Sequence, residues 1–270
     1  MSSPDELLEL ALRAARAAAR LIESGAARGV TVAATKSSAV DVVTESDRSA
    51  ERLIRRAVLD VRPDDAVLGE EAEGEQSDEP GSSGVRWIVD PIDGTVNFLY
   101  GIPQYAVSIA AEVDGEVVAG VVLNVATGAE YTATLGGPAY CDGRPITVRA
   151  TVPLSERLIG TGFSYEADQR EIQARALVRL LPRIRDIRRF GSCALDLCGV
   201  AQGSLDGYVE EGVNLWDHAA GGLIARAAGA RVETAQGAGG RLLVLAAPEA
   251  GFDEFRAAVA AAGYLTPDHA

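Results

Sequence analysis

The hydrophobic positions of the chain follow helical spacing in some segments and strand spacing in others. Apolar residues recur every three or four positions over residues 8–22, which predicts an amphipathic helix that begins after Ser3 and ends near Gly25. A second helix with similar spacing is predicted to begin at residues 44–47. The segment between these helices, residues 30–43, contains β-branched stretches and predicts a β-hairpin.

Two Asp-Gly turns interrupt the next part of the chain. The first, at residues 114–115, separates the apolar runs 105–113 and 116–125, and the second, at residues 142–143, precedes another short run. Asp-Gly between apolar runs is a strong signal for a tight hairpin, because both turn positions favour a positive φ. These hairpins predict an antiparallel meander, so we expect the first half of the chain to be α+β and not Rossmann-like.

The pattern changes near Pro153, after which strands and helices alternate. Strands are predicted at residues 158–163, 186–190, 204–210 and 242–246. Helices are predicted at residues 171–181, 191–200, 216–228 and 253–262. We therefore divide the chain into an N-terminal α+β half, residues 1–150, and a C-terminal α/β half, residues 151–270.

One stretch, residues 85–98, combines an apolar strand with polar chemistry. The strand is predicted to end at Asp90, because Pro91 lacks a backbone donor and cannot continue a central ladder. Asp90 and Asp93 then lead to Gly94, where the backbone can approach a ligand closely and free amides can bind an anion. The stretch fits a metal ion held beside a phosphate group, although the same residue types are common in an ordinary turn.

Composition limits the classes of protein to which the chain can belong. It has 270 residues, 47% of them hydrophobic and 24% charged, as in globular proteins. The formal net charge of −14 argues against a nucleic-acid partner, because phosphate backbones require clustered cations. No apolar run approaches the roughly 20 residues that span a bilayer, and the acidic N-terminus does not fit a secretory signal. Three cysteines, an odd number, indicate reduced thiols, so we expect a cytoplasmic protein with no membrane partner.

Four acidic residues stand at the ends of apolar segments: Glu70, Asp90, Asp93 and Asp217. If they meet in the folded chain, each pair about 4 Å apart costs roughly 4 kcal/mol at an effective dielectric constant near 20. Several such pairs cannot all stay ionised without a cation. Ligands that are all oxygen select a hard ion, and Mg²⁺ binds a few carboxylates together with water and phosphate. The sequence therefore predicts a magnesium site.

Three motifs resemble those of the inositol monophosphatase family and stand in that family's order and spacing. They are residues 69–71 (Gly-Glu-Glu), residues 87–98 around Asp-Pro-Ile-Asp-Gly-Thr, and residues 216–221 (Trp-Asp-His-Ala-Ala-Gly). Residues 36–47 and 191–192 fit as well, so the resemblance covers nearly the whole chain. It implies an α+β fold, a layered αβαβα sandwich of the inositol monophosphatase and fructose-1,6-bisphosphatase type, with metal-dependent phosphatase activity.

The resemblance also implies roles for individual residues at the metal site. Glu70, Asp90 and the carbonyl group of Ile92 would hold one Mg²⁺, and Asp90, Asp93 and Asp217 would hold a second. A third, weaker ion would bind near Glu70, which gives two or three Mg²⁺ ions per active site. These ions would activate water, screen the phosphate charge and stabilise the departing alkoxide.

Catalysis and substrate binding are assigned by the same resemblance. Thr95 and Asp47, together with Glu70, would orient the attacking water in line with the phosphorus atom. The Gly94 and Thr95 amides would bind phosphate at the start of a helix. The full set of implied substrate contacts is Asp93, Gly94, Thr95, Ser192, Cys193, Glu210 and Asp217. No phosphoenzyme is implied, because no serine, cysteine or histidine stands in a nucleophile motif.

Substrate choice is expected to depend on Glu210, which stands where inositol-specific family members carry a glutamate that accepts sugar hydroxyls. Glu211 is the competing candidate, but the spacing to Asp217 favours Glu210 and leaves Glu211 on the surface. Cys193 departs from the alanine that is common in the family, so the polyol pocket can differ slightly in shape.

Four residues near the motifs each have two interpretations. Asn214 and His218 flank the predicted site, and a structural role is favoured for both. Lys36 either approaches the metal-bound waters or is an ordinary surface lysine. Asp47, in the first turn of a helix, either acts in catalysis or complements the helix dipole.

The sequence thus predicts a Mg²⁺-dependent phosphomonoesterase that releases myo-inositol from its monophosphate. Its substrate would be a small phosphorylated polyol, and lithium would inhibit it. Histidinol phosphate, a sugar bisphosphate and an adenosine 3′,5′-bisphosphate are the alternative substrates. A second, non-catalytic role is a further alternative, since some bacterial relatives associate with the transcription machinery. The resemblance also implies a homodimer.

Overall fold

The computed structural model describes residues 3–26, 32–35, 42–71 and 81–266. Its helices of six or more residues are α1 (Pro4–Ala26), α2 (Glu45–Leu59), α3 (Thr95–Tyr100), α4 (Ala167–Leu180), α5 (Cys193–Ala201), α6 (Leu215–Ala227) and α7 (Phe252–Ala262). Short 3₁₀ turns occupy Leu154–Glu156, Leu181–Arg183 and Glu249–Gly251.

The strands form two large sheets and one small hairpin. The hairpin consists of β1 (Val32–Thr35) and β2 (Val42–Thr44). The seven-stranded sheet contains, in both chain and spatial order, β3 (Ala66–Gly69), β4 (Val85–Asp93), β5 (Ala106–Val113), β6 (Glu116–Asn124), β7 (Glu130–Thr134), β8 (Ala139–Cys141) and β9 (Arg144–Ile146). The five-stranded sheet contains β10 (Leu158–Thr161), β11 (Asp186–Arg188), β12 (Gly207–Glu211), β13 (Ala230–Gln236) and β14 (Leu242–Pro248). Its spatial order is β11-β10-β12-β14-β13.

The predicted meander is confirmed in the seven-stranded sheet. From β4 to β9 every neighbouring pair is antiparallel, and only β3 joins β4 in parallel. The two Asp-Gly turns connect β5 to β6 and β8 to β9, as expected. Asp114 and Asp142 have φ values of 52° and 51°, and the glycine after each also has a positive φ, which is the conformation of a type I′ hairpin turn.

Four hydrophobic cores separate five layers of structure. The first core lies between α1 and α2 and one face of the seven-stranded sheet, and the second lies between the other face and the helix pair α5 and α6. The third and fourth cores cover the two faces of the five-stranded sheet, against α4 and α7 on one side and against α5 and α6 on the other. This arrangement confirms the αβαβα sandwich that the resemblance implies.

Alternate side chains of the central strands enter different cores, as the two-residue period of a strand requires. In β4, Trp87 and Val89 pack towards α1 and α2, whereas Ile88 packs towards α5 and α6. In β12, Val209 and Tyr208 are divided in the same way between the third and fourth cores. These strands are covered on both faces, which explains why they appear in the sequence as continuous apolar runs.

The central strand β4 extends further than predicted. The sequence predicts that this strand ends at Asp90, but it continues to Asp93. Its register with β5 pairs Asp90 with Ser108 and Asp93 with Ala106, so an irregularity lies between these pairs. Pro91 stands inside this irregularity, where a missing donor does not interrupt the ladder. In a regular strand, residues three positions apart point to opposite faces, so the irregularity allows both acids to face one cavity.

One strand and one helix boundary also differ from the prediction. No strand was predicted over residues 230–236, yet β13 forms an edge of the five-stranded sheet there. Most of its side chains are only partly buried, and it carries several polar residues, so it lacks the apolar run that marks a central strand. The helix predicted at residues 171–181 begins earlier, at Ala167.

The predicted hairpin within residues 30–43 is present as the antiparallel pair of β1 and β2. Lys36, which lies between these strands, is outside the described residues, so neither interpretation of it is tested. The division of the chain at residue 150 stays a prediction. In the part of the chain that the structure describes, no helix combines the length and the apolar character needed to cross a bilayer.

A glycine in β6 sets how closely α6 approaches the seven-stranded sheet. A Cβ atom on Gly120 would lie 3.1 Å from the carbonyl oxygen and 3.2 Å from the Cα atom of Ala220. The backbone of α6 therefore packs directly on the backbone of β6. Since Asp217 lies about one turn before Ala220 in the same helix, this contact also fixes how close that acid comes to the sheet.

We predict that Gly120→Ala lowers the free energy of unfolding by about 1–3 kcal/mol, because the added methyl group would push α6 away from the sheet. Gly222→Ala in α6 is the matched control. A Cβ atom there would meet no other element of the fold closer than 3.5 Å, and alanine favours a helix interior by about 1 kcal/mol over glycine. Urea unfolding measures both variants, and equal stabilities would contradict the close packing described here.

Candidate active site

A cavity of about 290 Å³ lies where the two sheets meet the middle layer of helices. Its walls are formed by the C-terminal ends of β3, β4 and β12 and by the N-terminal ends of α3, α5 and α6. The predicted site residues that line it are Glu70, Asp90, Ile92, Asp93, Gly94, Thr95, Cys193, Glu210 and Asp217. The fold therefore brings the motifs of both halves of the chain to one place.

Asp90, Asp93 and Asp217 form a compact acidic cluster in this cavity. One carboxylate oxygen from each residue lies within 4.8 Å of the oxygens from the other two. Glu70 lines the same cavity, and its charge acts on Asp90. Side-chain ligands that are all carboxylate oxygens fit a hard divalent cation such as Mg²⁺. The cluster therefore has the chemistry that the predicted metal site requires.

The start of α5 holds Asp93 in place. Asp93 Oδ2 accepts hydrogen bonds from Ser192 Oγ at 2.6 Å and from the Ala194 N–H at 2.7 Å. Ser192 is the N-cap of α5, and its Oγ also accepts a hydrogen bond from the Leu195 N–H. Ser192 was predicted to contact substrate, but it is 1% exposed and its hydroxyl proton is donated to Asp93. This hydrogen bond holds the Asp93 carboxylate, and the substrate contact stays a prediction.

Backbone donors also hold the other two members of the cluster. The Ile92 N–H donates to Asp90 Oδ1 at 3.0 Å. The N–H of Asn214, the N-cap residue of α6, donates to Asp217 Oδ2 at 2.6 Å. Asn214 thus has a structural contact of the kind that the sequence analysis favoured. His218 is largely buried, and burial lowers its pKa to about 4, so it is neutral at physiological pH.

Burial and mutual repulsion disfavour the ionised state of the cluster. Burial, followed by the charges of Glu70, Asp93 and Asp217, raises the pKa of Asp90 well above its usual range. Burial raises the pKa of Asp93 to about 7, although its two hydrogen bonds act in the opposite direction. Burial and the charges of Asp93 and Glu70 likewise raise the pKa of Asp217. A divalent cation would offset the repulsion among these carboxylates and favour their ionised state.

Helix α2 carries Asp47 in its first turn and positions it next to Thr95. Thr44 caps this helix, and Asp47 Oδ2 accepts hydrogen bonds from the Thr44 N–H at 2.8 Å and from the Thr44 hydroxyl group. Asp47 Oδ1 lies 3.0 Å from Thr95 Oγ1, which can donate either to it or to the Ile92 carbonyl oxygen at 3.1 Å. Burial raises the pKa of Asp47 to about 6. Asp47 is therefore part of a helix cap and a contact of Thr95 at once.

Gly94 makes the turn between β4 and α3. Its φ of 98° lies in the left-handed region, and a Cβ atom there would lie 2.8 Å from the Gln104 carbonyl oxygen. Only glycine fits this position without strain. Asn97 fastens the turn, because its Nδ2 donates to the carbonyl oxygens of Gln104 and Phe190, each at 2.7 Å. The backbone that leads into Thr95 is therefore held from two sides.

Glu210 faces the cavity from the end of β12. Tyr208 Oη donates to Glu210 Oε2 at 2.7 Å, because residues two positions apart on a strand share a face. Gly162 leaves room for this acid, since a Cβ atom on it would lie 2.0 Å from the Glu210 carboxyl carbon. Cys193 lines the same wall, and burial raises the pKa of its thiol well above its usual range. Cys193 is therefore a neutral wall residue.

Glu211 is not a surface residue, contrary to the sequence analysis. It is 2% exposed and lines the cavity beside Glu210. One of its carboxylate oxygens, Oε1, accepts a hydrogen bond from the Arg241 N–H at 3.1 Å. Both neighbouring glutamates are enclosed because β12 is the central strand of the five-stranded sheet and is covered on both faces.

The cavity also contains residues that the sequence analysis did not single out. Residues 163–166 and Arg241 line its outer part, and Arg241 pairs with Glu166 at 2.5 Å. Arg189 lines it too, and its charge lowers the pKa of Glu210 against the larger effect of burial. These residues belong to loops and strand ends that carry no motif, so only the fold reveals that they meet.

Comparisons with known proteins agree on one family. The profile of the Inositol monophosphatase family matches residues 3–263. The chain is 48% identical over 240 residues to the inositol-1-monophosphatase SuhB of Mycobacterium tuberculosis. The aligned region covers 86% of this chain and 82% of that protein. The chain is 37% identical over 230 residues to the Nus factor SuhB of Pasteurella multocida, and this aligned region covers 84% of each protein. The solved structure of Mycobacterium tuberculosis SuhB has a TM-score of 0.83 and 41% identity, and covers 98% of this chain and 100% of that one.

The fold and the acidic cluster place the chain among the layered αβαβα proteins with a carboxylate cluster that can hold a metal ion. Within this class, the chain belongs to the inositol monophosphatase family. This confirms the resemblance in the sequence, and membership supports a phosphatase with a metal requirement. The names of the relatives differ, since some are called inositol-1-monophosphatases and others Nus factors.

We predict that, in EDTA, raising the pH from about 6.5 to about 8 lowers the free energy of unfolding by roughly 1 kcal/mol. The folded chain raises the pKa of Asp93 to about 7, so it binds more protons than the unfolded chain and loses stability as pH rises through this window. The window starts near 6.5 because His218, with its pKa lowered to about 4, acts in the opposite direction mainly below its usual pKa of about 6.5, and this opposing effect fades as the pH rises further.

Urea unfolding at a series of pH values measures this dependence. Asp93→Asn should show a smaller loss than the unmodified chain, because one of the groups that titrate in the window is removed. Saturating Mg²⁺ should abolish the loss, because the bound ion keeps the carboxylates ionised, so the folded chain no longer binds extra protons in this window. A metal-free stability that rises over this window would contradict the repulsion described above.

Proposed function

We propose that the chain is a Mg²⁺-dependent phosphomonoesterase that hydrolyses myo-inositol monophosphate to myo-inositol and inorganic phosphate. The observation that carries this proposal is the acidic cluster of Asp90, Asp93 and Asp217 beside the Gly94 turn. Relatives named inositol-1-monophosphatase, at 44–48% identity, support the substrate. The cavity volume of about 290 Å³ is near the lower end of the range for small-molecule sites.

The metal ligands would be those that the resemblance implies. Glu70, Asp90 and the Ile92 carbonyl group would hold one Mg²⁺, and Asp90, Asp93 and Asp217 would hold a second, with a third ion near Glu70. When bound, Mg²⁺ supplies positive charge that screens the phosphate, lowers the pKa of the attacking water and stabilises the departing alkoxide. Fixed hydrogen bonds hold the cluster carboxylates, so these ligands are organised in advance of binding.

The turn at Gly94 would bind the phosphate group of the substrate. The Gly94 and Thr95 amides would donate to phosphate oxygens at the start of α3. Thr95 Oγ1, which lies 3.0 Å from Asp47 Oδ1, would orient the attacking water together with Glu70. Asp47 would accept the proton of the attacking water by way of Thr95 Oγ1, since a pKa of about 6 suits a base that works near neutral pH.

Glu210 would accept hydrogen bonds from the hydroxyl groups of the polyol. The Tyr208 hydroxyl group fixes one of its oxygens, which limits the rotation of the carboxylate. Asp93 and Asp217 would face the same ring, and Cys193 would form part of its wall. Ser192 would act through Asp93, because its hydroxyl group donates to that carboxylate.

We predict that Asp93→Asn and Asp217→Asn each lower turnover by more than about 100-fold. Changes that only remove support from a metal ligand already cost up to about that factor, and these variants remove a ligand itself. The fold should be retained, because asparagine has the same shape and relieves repulsion. Phosphate release and circular dichroism measure the two effects. Glu112→Gln, which alters a buried acid outside the cavity, is the control and should keep its activity.

The substrate is tested by a panel of phosphate esters with Mg²⁺. We expect the highest kcat/KM for inositol monophosphate, because Glu210 would accept hydrogen bonds from polyol hydroxyl groups. The panel should include histidinol phosphate, a sugar bisphosphate and adenosine 3′,5′-bisphosphate. A preference of about tenfold (about 1.4 kcal/mol) for histidinol phosphate over inositol monophosphate would overturn the substrate assignment while leaving the phosphatase intact.

A second role as a partner of the transcription machinery is favoured by one observation, the relatives named Nus factor SuhB at 37% identity. The Asp93→Asn variant separates the two roles in a pull-down with components of that machinery. If binding persists while turnover is lost, both roles stand and are independent. The homodimer and the inhibition by lithium are likewise proposals that rest on the family resemblance, and the cytoplasmic location is a proposal that rests on the three cysteines.

A further inference from the structure

A second acid of helix α2, Glu51, lies behind the cavity and has no role in the mechanism proposed above. It stands four residues after Asp47, so both acids share one face of the helix. Glu51 is 3% exposed. A glutamate is almost never buried to this extent unless it has specific partners, so its contacts indicate what it does.

The Glu51 carboxylate contacts the chain on both sides of Glu70. Its Oε2 accepts a hydrogen bond from the Glu71 N–H at 2.7 Å. On the other side, a Cβ atom on Gly69 would lie 2.4 Å from the Glu51 carboxyl carbon and 2.5 Å from each of its oxygens. The carboxylate therefore occupies the space that a side chain at position 69 would need. The Glu51 carboxylate can therefore take this position only because residue 69 is a glycine.

Arg55, one turn further along α2, completes the arrangement. Its Nη2 lies 3.4 Å from Glu51 Oε1, and its Nη1 donates to the Val67 carbonyl oxygen at 3.1 Å. Val67 belongs to β3, the strand that leads into Glu70. The arginine thus compensates the buried charge of Glu51 and joins it to the strand.

We propose that Glu51 is a positioning residue that orients Glu70 for metal binding. This inference rests on the proposed function, in which Glu70 is a Mg²⁺ ligand. The chain leaves β3 at Gly69, and the Glu70 N–H donates to the Val89 carbonyl oxygen at 3.2 Å. With the Glu71 N–H fixed by Glu51, the backbone is held on both sides of the ligand before an ion binds. Such support raises the affinity of a metal site.

Direct Mg²⁺ binding by the full chain without substrate tests this role, measured by isothermal titration calorimetry. Glu51→Met keeps a long side chain but removes the acceptor for the Glu71 N–H, and we expect about tenfold weaker Mg²⁺ binding. Glu51→Gln keeps an oxygen acceptor, and we expect it to restore the affinity of the unmodified chain. In hydrolysis assays, Glu51→Met should need about tenfold more Mg²⁺ for half-maximal rate and should regain most of its kcat at saturating Mg²⁺.

Glu112→Met is the matched control for a general loss of stability. Glu112 is also a buried glutamate paired with an arginine, since Arg86 lies 2.8 Å from it. Arg86 precedes Asp90 by four residues along β4, which places the pair roughly 13 Å from the acidic cluster. We expect Glu112→Met to unfold at lower urea concentration and to bind Mg²⁺ as the unmodified chain does.

Gly69→Ala tests the same contact if Glu51→Met does not fold. Its methyl group would displace the Glu51 carboxylate, so the same weakening of Mg²⁺ binding is expected. Unchanged Mg²⁺ affinity in folded Glu51→Met and Gly69→Ala, or an equal loss in Glu112→Met, overturns the positioning role alone. If the unmodified chain binds no Mg²⁺, the proposed metal site fails and this role fails with it.

Discussion

Repulsion among enclosed carboxylates is the constraint on which the site depends. Asp90, Asp93 and Asp217 bring oxygens within 4.8 Å of one another, where burial raises the pKa of each acid. One ionised pair about 4 Å apart costs roughly 4 kcal/mol at an effective dielectric constant near 20, whereas a whole domain is stable by only about 5–15 kcal/mol. The cluster therefore lowers the stability of the chain unless a cation binds, which argues against a purely structural role.

The layered fold offsets part of this repulsion with the starts of its middle helices. Asp93 accepts the Ala194 N–H at the beginning of α5, and Asp217 accepts the Asn214 N–H at the beginning of α6. Helix N-termini carry partial positive charge, so both carboxylates lie where that charge stabilises them. The middle layer thus does more than fill the space between two sheets. Because α6 packs directly on β6, it also couples the position of Asp217 to the sheet that carries Asp90.

The acids of the site could be predicted from the sequence because each one ends an apolar segment, and the ends of buried strands are where polar side chains meet. Rules that use only neighbouring residues were less successful where the order of strands in a sheet decides the length of a strand or the burial of a side chain. Pro91 marks the end of a strand by its missing donor, yet the irregularity opposite β5 accommodates it and lets Asp90 and Asp93 face one cavity. Glu211 is of a residue type that is usually exposed, and only the central place of β12 in its sheet explains why it is buried.

The residues that support the site are the hardest to predict, for a physical reason. The partner of Glu51 is the N–H of a residue 20 positions away, and a backbone N–H can come from almost any residue, so it leaves no motif. A glycine beside a buried acid is the exception. Gly69 and Gly162 both stand where the carboxylate of Glu51 or Glu210 occupies the place of a Cβ atom. At these two strand ends, the glycine is therefore a signal in the sequence for the carboxylate that packs against it.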